Sequence, residues 1–204
     1  MLAAFLHGYL LSFGLILPLG PQNTFVFTQG ATQPKLIRAI PVAVAASLAD
    51  TFLILVAVLG VSVIVLTLPI IKTILTLIGI AFLLYVGWAT WKSKPTSNES
   101  HNEFDSLKKR IVFALSVSLL NPHAILDTTG VIGTSAITYT GGERFAFTLA
   151  CVLNSWLWFF GLTTLGRMLG VVDRNGRALR ILNKVSAVII WSNALYLLGG
   201  LWSG

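Results

Sequence analysis

The chain has 204 residues, 55% of them hydrophobic and only 10% charged, with 14 Lys and Arg against 7 Asp and Glu. A soluble domain carries about 25% charged residues, so this composition leaves no polar coat for a globule in water and makes lipid the solvent for most of the surface. The net charge of +7 does not point to nucleic acid, because the basic residues gather between apolar runs, and the single cysteine, Cys151, excludes an intrachain disulfide and a CxxC redox pair.

A spanning helix needs roughly 20 mostly apolar residues. Six segments qualify in chain order: 4–27, 40–62, 73–91, 111–135, 145–166 and 185–203. The first resembles a secretory leader in place only. No Lys or Arg precedes Lys35 and no convincing cleavage site follows, so it reads as a retained helix. Pro69 and Lys72 divide the second segment from the third, and the polar stretch 92–110 divides the first three from the last three. The expected fold is therefore all-α and integral to the membrane, with about six transmembrane helices: residues 1–91 as one three-helix unit, 92–110 as a linker and 111–204 as a second three-helix unit.

The loops set the direction. Lys35 and Arg38 lie in the first loop, Lys92, Lys94, Lys108, Lys109 and Arg110 in the third, and Arg167, Arg174, Arg177, Arg180 and Lys184 in the fifth, leaving only Lys72 and Arg144 for the other side. By the positive-inside rule these three loops face the cytoplasm and both termini face outward. That distribution accounts for the basic charge without any nucleic-acid partner.

The halves repeat weakly. LPLGPQNTF at 17–25 aligns with SLLNPHAIL at 118–126, placing Pro21 opposite Pro122, and ASLADTFL at 46–53 aligns with ACVLNSWL at 150–157, placing Asp50 opposite Asn154. Three spans per half is an odd number, so the halves cross in opposite directions. Inverted repeats broken at matching Gly/Pro positions are a transporter signature, with the substrate held near the repeat interface.

Chemistry concentrates in few residues. Glu99, Glu103, Asp105, Glu143 and Asp173 fall in loops, whereas Asp50 and Asp127 fall inside apolar spans. An acid at the membrane centre costs at least about 2.5–3.5 kcal/mol and by default marks a functional path. No basic residue inside a span neutralises either acid, so each must take a proton, meet a cation from solution or sit in a wet cavity. Gly20, Pro21, Gln22 and Asn23 interrupt the first helix, and Asn121 and Pro122 the fourth. Proline removes an amide and frees a carbonyl one turn earlier. Such backbone at membrane depth is tolerated only against protein or a water-filled cavity, and could there hold the α-groups of an amino acid. His123, after the second break, is a candidate proton relay. Asn154 and Trp156 are secondary candidates, since a mid-span indole such as Trp156 or Trp158 either stacks on a guanidinium or faces lipid. His7, His101 and His123 form no cluster with the acids, so neither metal nor cofactor is expected. An intramembrane aspartyl protease also needs two embedded acids, but its Tyr-Asp and Gly-x-Gly-Asp contexts are missing, because Ala49 and Leu126 precede them.

Three stretches, GPQNTFVFTQG at 20–30, SLADTFLI at 47–54 and LNPHAILDTTGVIG at 120–133, resemble the LysE-type translocator family of bacterial amino acid exporters, and within it the lysine/arginine exporters. The resemblance implies a secondary exporter, not an enzyme, moving L-lysine or L-arginine out of the cytoplasm across the bacterial inner membrane, driven by proton motive force. Exporters of neutral amino acids or of another small cationic metabolite are the alternative. Asp50 and Asp127 would be the family's intramembrane acids, with Gln22, Asn23, Asn121 and Pro122 in its helix breaks. Ile125 stands where the family's Asn-Pro-x-Ala-Tyr-Leu-Asp pattern has Tyr, which bears on substrate choice. The expected partners are a basic amino acid, protons and the bilayer. A bundle this small leaves room for a homodimer, which the spacing of Gly166 and Gly170 does not decide.

Overall fold

The computed structural model of the chain describes residues 1–18, 20–60, 69–92, 106–121, 124–125, 128–173 and 176–202. Among them the regular structure is entirely helical: α1 Leu2–Ile16, α2 Pro21–Thr32, α3 Leu36–Val58, α4 Pro69–Lys92, α5 Leu107–Leu119, a π-helical segment Thr128–Gly133 running into the short α6 Thr134–Ile137, then α7 Gly141–Val172 and α8 Arg177–Trp202. Lipid offers no partner to backbone amides and carbonyls, so apolar runs of this length must bond internally, which a helix does. Leu36–Val58, Gly141–Val172 and Arg177–Gly199 are each long and apolar enough to cross a bilayer, and α1 with α2 makes a fourth span if that bent pair is counted as one. The chain is thus a multi-pass membrane protein. Thr76–Lys92 within α4 is a shorter apolar helix.

Two expected spans are not continuous helices. Over 4–27 the chain forms α1 and α2, which meet at 80°. Gly20 is extended at φ −84° and ψ −179°, and Pro21 begins α2 at its first position, where a missing amide costs no bond. The break therefore lies before Pro21, so Pro21, Gln22 and Asn23 form the first turn of α2 rather than unwound chain. Over 111–135, α5 starts earlier and stops at Leu119, Leu120 and Asn121 are not helical, and helix is found again at Ala124 and Ile125 and in the π-helical segment from Thr128. The other boundaries shift more simply. The stretch expected at 40–62 is helical over Leu36–Val58, closed by Gly60 at φ 79°, and those at 145–166 and 185–203 extend to Gly141–Val172 and Arg177–Trp202.

α7 is the spine on which α1, α2 and α3 all lie. α3 in turn receives α5 and the π-helical segment, and α4 packs on α8. Small residues set these distances: Ala43, Ala45 and Ala46 of α3 share a buried cluster with Val26 of α2 and Phe159 and Leu162 of α7. Between α2 and α7 the backbones touch. A β-carbon at Gly30 would sit 2.1 Å from the Thr163 carbonyl oxygen, at Gly166 2.2 Å from that of Phe27, and at Gly170 2.1 Å from that of Ala31. Small residues that admit such approach are how helices associate in lipid, where apolar burial supplies no drive. Gly166 and Gly170 are thereby used within one chain. Arg167 ties the same seam, its Nη1 donating to the Gln33 carbonyl at the end of α2 at 3.1 Å. Cys151 is buried as a small apolar residue, its thiol 3.4 Å from the Gly8 carbonyl.

Candidate functional site

The first turn of α2 projects two amide side chains with different tasks. Asn23 turns back onto the break, where its Nδ2 donates to the Ile16 carbonyl at 2.6 Å and the Pro18 carbonyl at 2.8 Å. The Ile16 carbonyl loses its helical partner where α1 ends, whereas that of Pro18 also accepts from the Gly20 amide at 2.8 Å; an uncompensated buried carbonyl costs about 1–3 kcal/mol. Asn23 Oδ1 accepts from Trp158 Nε1 of α7 at 3.2 Å. The backbone freed by the first break is thus largely satisfied by the chain itself. Gln22 points the other way and donates from Nε2 to Asp50 Oδ1 at 2.8 Å.

Asp50, in the middle of α3, is partly buried, and its second oxygen accepts from the Ser155 hydroxyl of α7 at 3.3 Å. Gln22 and Ser155 are themselves buried. Three helices therefore converge on one carboxylate and supply it with neutral donors only. Among the described residues the one ion pair is an exposed contact of 3.2 Å between the Met1 amino group and Glu143. Neutral donors orient a carboxylate but do not cancel its charge, which in low dielectric needs a proton or a cation. Beside it, Trp156 Nε1 donates to the Thr51 hydroxyl at 3.1 Å and its ring stacks on Phe160 at 6.0 Å. Trp156 and Trp158 thus turn their indole nitrogens inward to polar groups. The Thr24 and Ser47 hydroxyls, both buried nearby in sequence, make no hydrogen bond among the described residues.

The sequence candidates divide accordingly. Gly20, Pro21, Gln22, Asn23 and Asp50 are gathered at one place. Asn154 is buried but donates to the Ser12 hydroxyl at 3.1 Å, tying α7 to α1 rather than reaching Asp50. Asn121 is buried beyond the end of α5, and its carbonyl accepts from the Ile125 amide at 3.1 Å. Pro122, His123 and Asp127 lie outside the described residues. The chain that follows is π-helical over Thr128–Gly133, a geometry common at functional sites, and its Ile132 packs against Ile54, four residues beyond Asp50 on α3. Ser155 and Thr51 were not singled out from sequence. A lone hydroxyl residue in a span is commonplace, and only the crossing of α3 and α7 selects these two. Among the described residues no three His, Cys, Asp or Glu side chains group as a metal site would require.

Comparison with known proteins gives a consistent result. The family described as LysE type translocator matches residues 13–200. YisU of Bacillus subtilis (strain 168), named as a candidate amino-acid transporter, is 50% identical over 193 residues, covering 95% of this chain and 88% of that protein. The arginine exporter protein ArgO of Serratia proteamaculans (strain 568) is 36% identical over 208 residues, covering 100% of this chain and 98% of its own. ArgO of Escherichia coli (strain K12) is 34% identical over 201 residues, covering 97% and 94%. No solved structure matches the chain.

Proposed function

This chain belongs to the LysE type translocator family, and from that premise we propose that it is a secondary active exporter of basic amino acids, L-arginine or L-lysine, driven by the proton motive force. It is a transporter and not an enzyme. The observation that carries the finer reading is Asp50, a carboxylate inside a span that accepts from two neutral donors and, among the described residues, pairs with no basic side chain. Its charge can be met by a proton or by the ammonium or guanidinium of a substrate, but one excludes the other. Exchange follows: a cation leaves as a proton arrives, and the carboxylate stays neutralised in each resting state. Gln22 and Ser155 keep its oxygens aimed while the partner changes. Asp127, Asn121, Pro122 and His123 belong to the proposal as the second acid, second break and candidate relay.

The topology belongs to the same proposal: six spans in two inverted halves, 1–91 and 111–204, joined by the linker 92–110. Packing supports it. α3 lies on α7 and α4 on α8, which pairs corresponding helices, while the broken helix of each half lies on the long helix of the other, α1 and α2 on α7, α5 and the π-helical segment on α3. That exchange is what a two-fold relation between halves produces. The basic loops then face the cytoplasm of a bacterial cell and both termini face outward.

The test is efflux of radiolabelled arginine from preloaded proteoliposomes under an imposed proton gradient. Gradient-stimulated release of arginine or lysine is expected. Release of a neutral amino acid with neither of these moving would replace the substrate, and release indifferent to the gradient would remove proton coupling.

A further inference from the structure

A second feature lies away from Asp50. α4 packs on α8 and α5 on α3, and beside the cluster that α4 and α5 share through Val117 an open crevice of about 420 Å³ is left between them. That volume lies within the range of small-ligand sites, roughly 300–1,000 Å³. Its walls are aromatic and aliphatic, Phe82 and Tyr85 from α4 and Val112 and Phe113 from α5, and one end carries Lys108 and Lys109. Both lysines are exposed, and neither forms an ion pair among the described residues. Tyr85 and Val112 are more than half exposed, at 59% and 53%, so the crevice opens outward, away from the spine.

The depth of this crevice is fixed by its neighbours. α5 turns apolar at Ile111, after Lys108, Lys109 and Arg110, which sets the two lysines at the boundary between hydrocarbon and headgroups. The facing end of α4 carries the same signature: Trp88 is exposed, with Lys92 Nζ 4.4 Å above its ring, and Lys184 Nζ of α8 lies 5.4 Å above Trp91. Indoles and lysines at one level form an interfacial belt. An occupant must therefore be apolar along the helices and anionic at the belt. We propose that the crevice between α4 and α5 binds one anionic phospholipid, with an acyl chain against Phe82, Tyr85, Val112 and Phe113 and its phosphate between Lys108 and Lys109. Basic pockets between spanning helices hold anionic headgroups in this way. The site is independent of which amino acid is exported.

Native mass spectrometry of the purified full-length chain in detergent tests this, with phosphatidylglycerol, phosphatidylcholine or inorganic phosphate added. One phosphatidylglycerol per chain should survive, against little phosphatidylcholine and no phosphate. Lys108→Ala with Lys109→Ala should weaken retention about 25-fold, since each lysine near the surface is worth about fivefold. Val112→Trp, which fills an exposed part of the crevice and leaves both charges, should also displace the lipid. Elution volume and unfolding midpoint verify that each variant is folded. Equal retention of both lipids, retention unchanged in both variants, or phosphate binding as well as the lipid would overturn the proposal. So would a dimer that Val112→Trp dissociates, since the crevice would then be covered by a second copy.

Discussion

Replacing Asn23 by Ala tests whether this side chain staples the first break or touches substrate. The substitution removes the donor to the Ile16 and Pro18 carbonyls and the acceptor for Trp158 Nε1, three bonds of 2.6, 2.8 and 3.2 Å. Interhelical hydrogen bonds in membrane bundles are worth roughly 0.6–1.7 kcal/mol each, so the loss is about 2–5 kcal/mol. In a chain of this size each kcal/mol moves the midpoint by about 2–4 °C, which gives a fall of roughly 4–20 °C. Cys151 supplies the readout, because a fluorogenic maleimide reaches the chain's one buried thiol only on unfolding. Asn23→Asp should fall at least as far, since it sets carboxylate oxygens against two carbonyls. Transport should decline in step with stability in both. An Asn23→Ala protein that melts with wild type yet moves no arginine would refute the staple and make Asn23 a direct ligand.

Asp50→Asn should abolish exchange while leaving the fold intact, and Ser155→Ala should slow it severalfold, both read as initial efflux rates in proteoliposomes; wild-type rates in Asp50→Asn would remove the carboxylate from the mechanism. Gly166→Leu puts a side chain where even a β-carbon lies 2.2 Å from the Phe27 carbonyl oxygen. Overpacking typically costs about 1–3 kcal/mol and should here separate α2 from α7, lowering the midpoint by several degrees, whereas an unchanged midpoint would contradict the close seam. Asp173, after α7, accepts from the Leu179 amide at 2.9 Å and the Arg177 amide at 3.0 Å, and these backbone bonds hold its carboxyl below the usual 3.8. A lowered folded value means that its contribution is fully present above 3.8 and fades as pH falls through the folded value. Asp173→Asn should therefore flatten the acid side of a midpoint-versus-pH curve between about pH 5 and pH 2, and an unaltered slope there would rule these bonds out as a source of stability.

Much of this architecture is legible in the chain because its signals are local. A scarcity of charge and long apolar runs announce helices in lipid, and Pro21 and Asn121-Pro122 announce where two of them stop. What hydropathy cannot register is direction. A window over 4–27 reads the same whether the chain runs straight or turns by 80°, so one expected helix is two. Partnership is equally hidden. The alignment of halves set Asn154 opposite Asp50, but Ser155, one residue on, carries the bond, because a step of one residue turns a helical side chain through about 100°. Gly166 and Gly170 illustrate the converse, where a pattern suited to association between chains is consumed inside one.

The contacts around Asp50 also differ in kind from those elsewhere. α2 and α7 are joined by carbonyl-to-backbone contacts at Gly30, Gly166 and Gly170, by Trp158 on Asn23 and by Arg167 on Gln33; none of these rests on a carboxylate. Among the described residues the polar ties from α3 to that pair are Gln22 to Asp50, Ser155 to Asp50 and Trp156 to Thr51. Two of the three end on one carboxylate. Hydrogen bonds to an ionised acceptor are roughly twice as strong as neutral ones, so a proton arriving at Asp50 weakens both together while leaving the α2–α7 seam untouched. The charge on that single group thus bears on how firmly α3 is held against the other two helices, and in the proposed exchange a substrate cation that restores the anion would restore both bonds. The proposed exchange would therefore couple occupancy and helix contact through the same two oxygens.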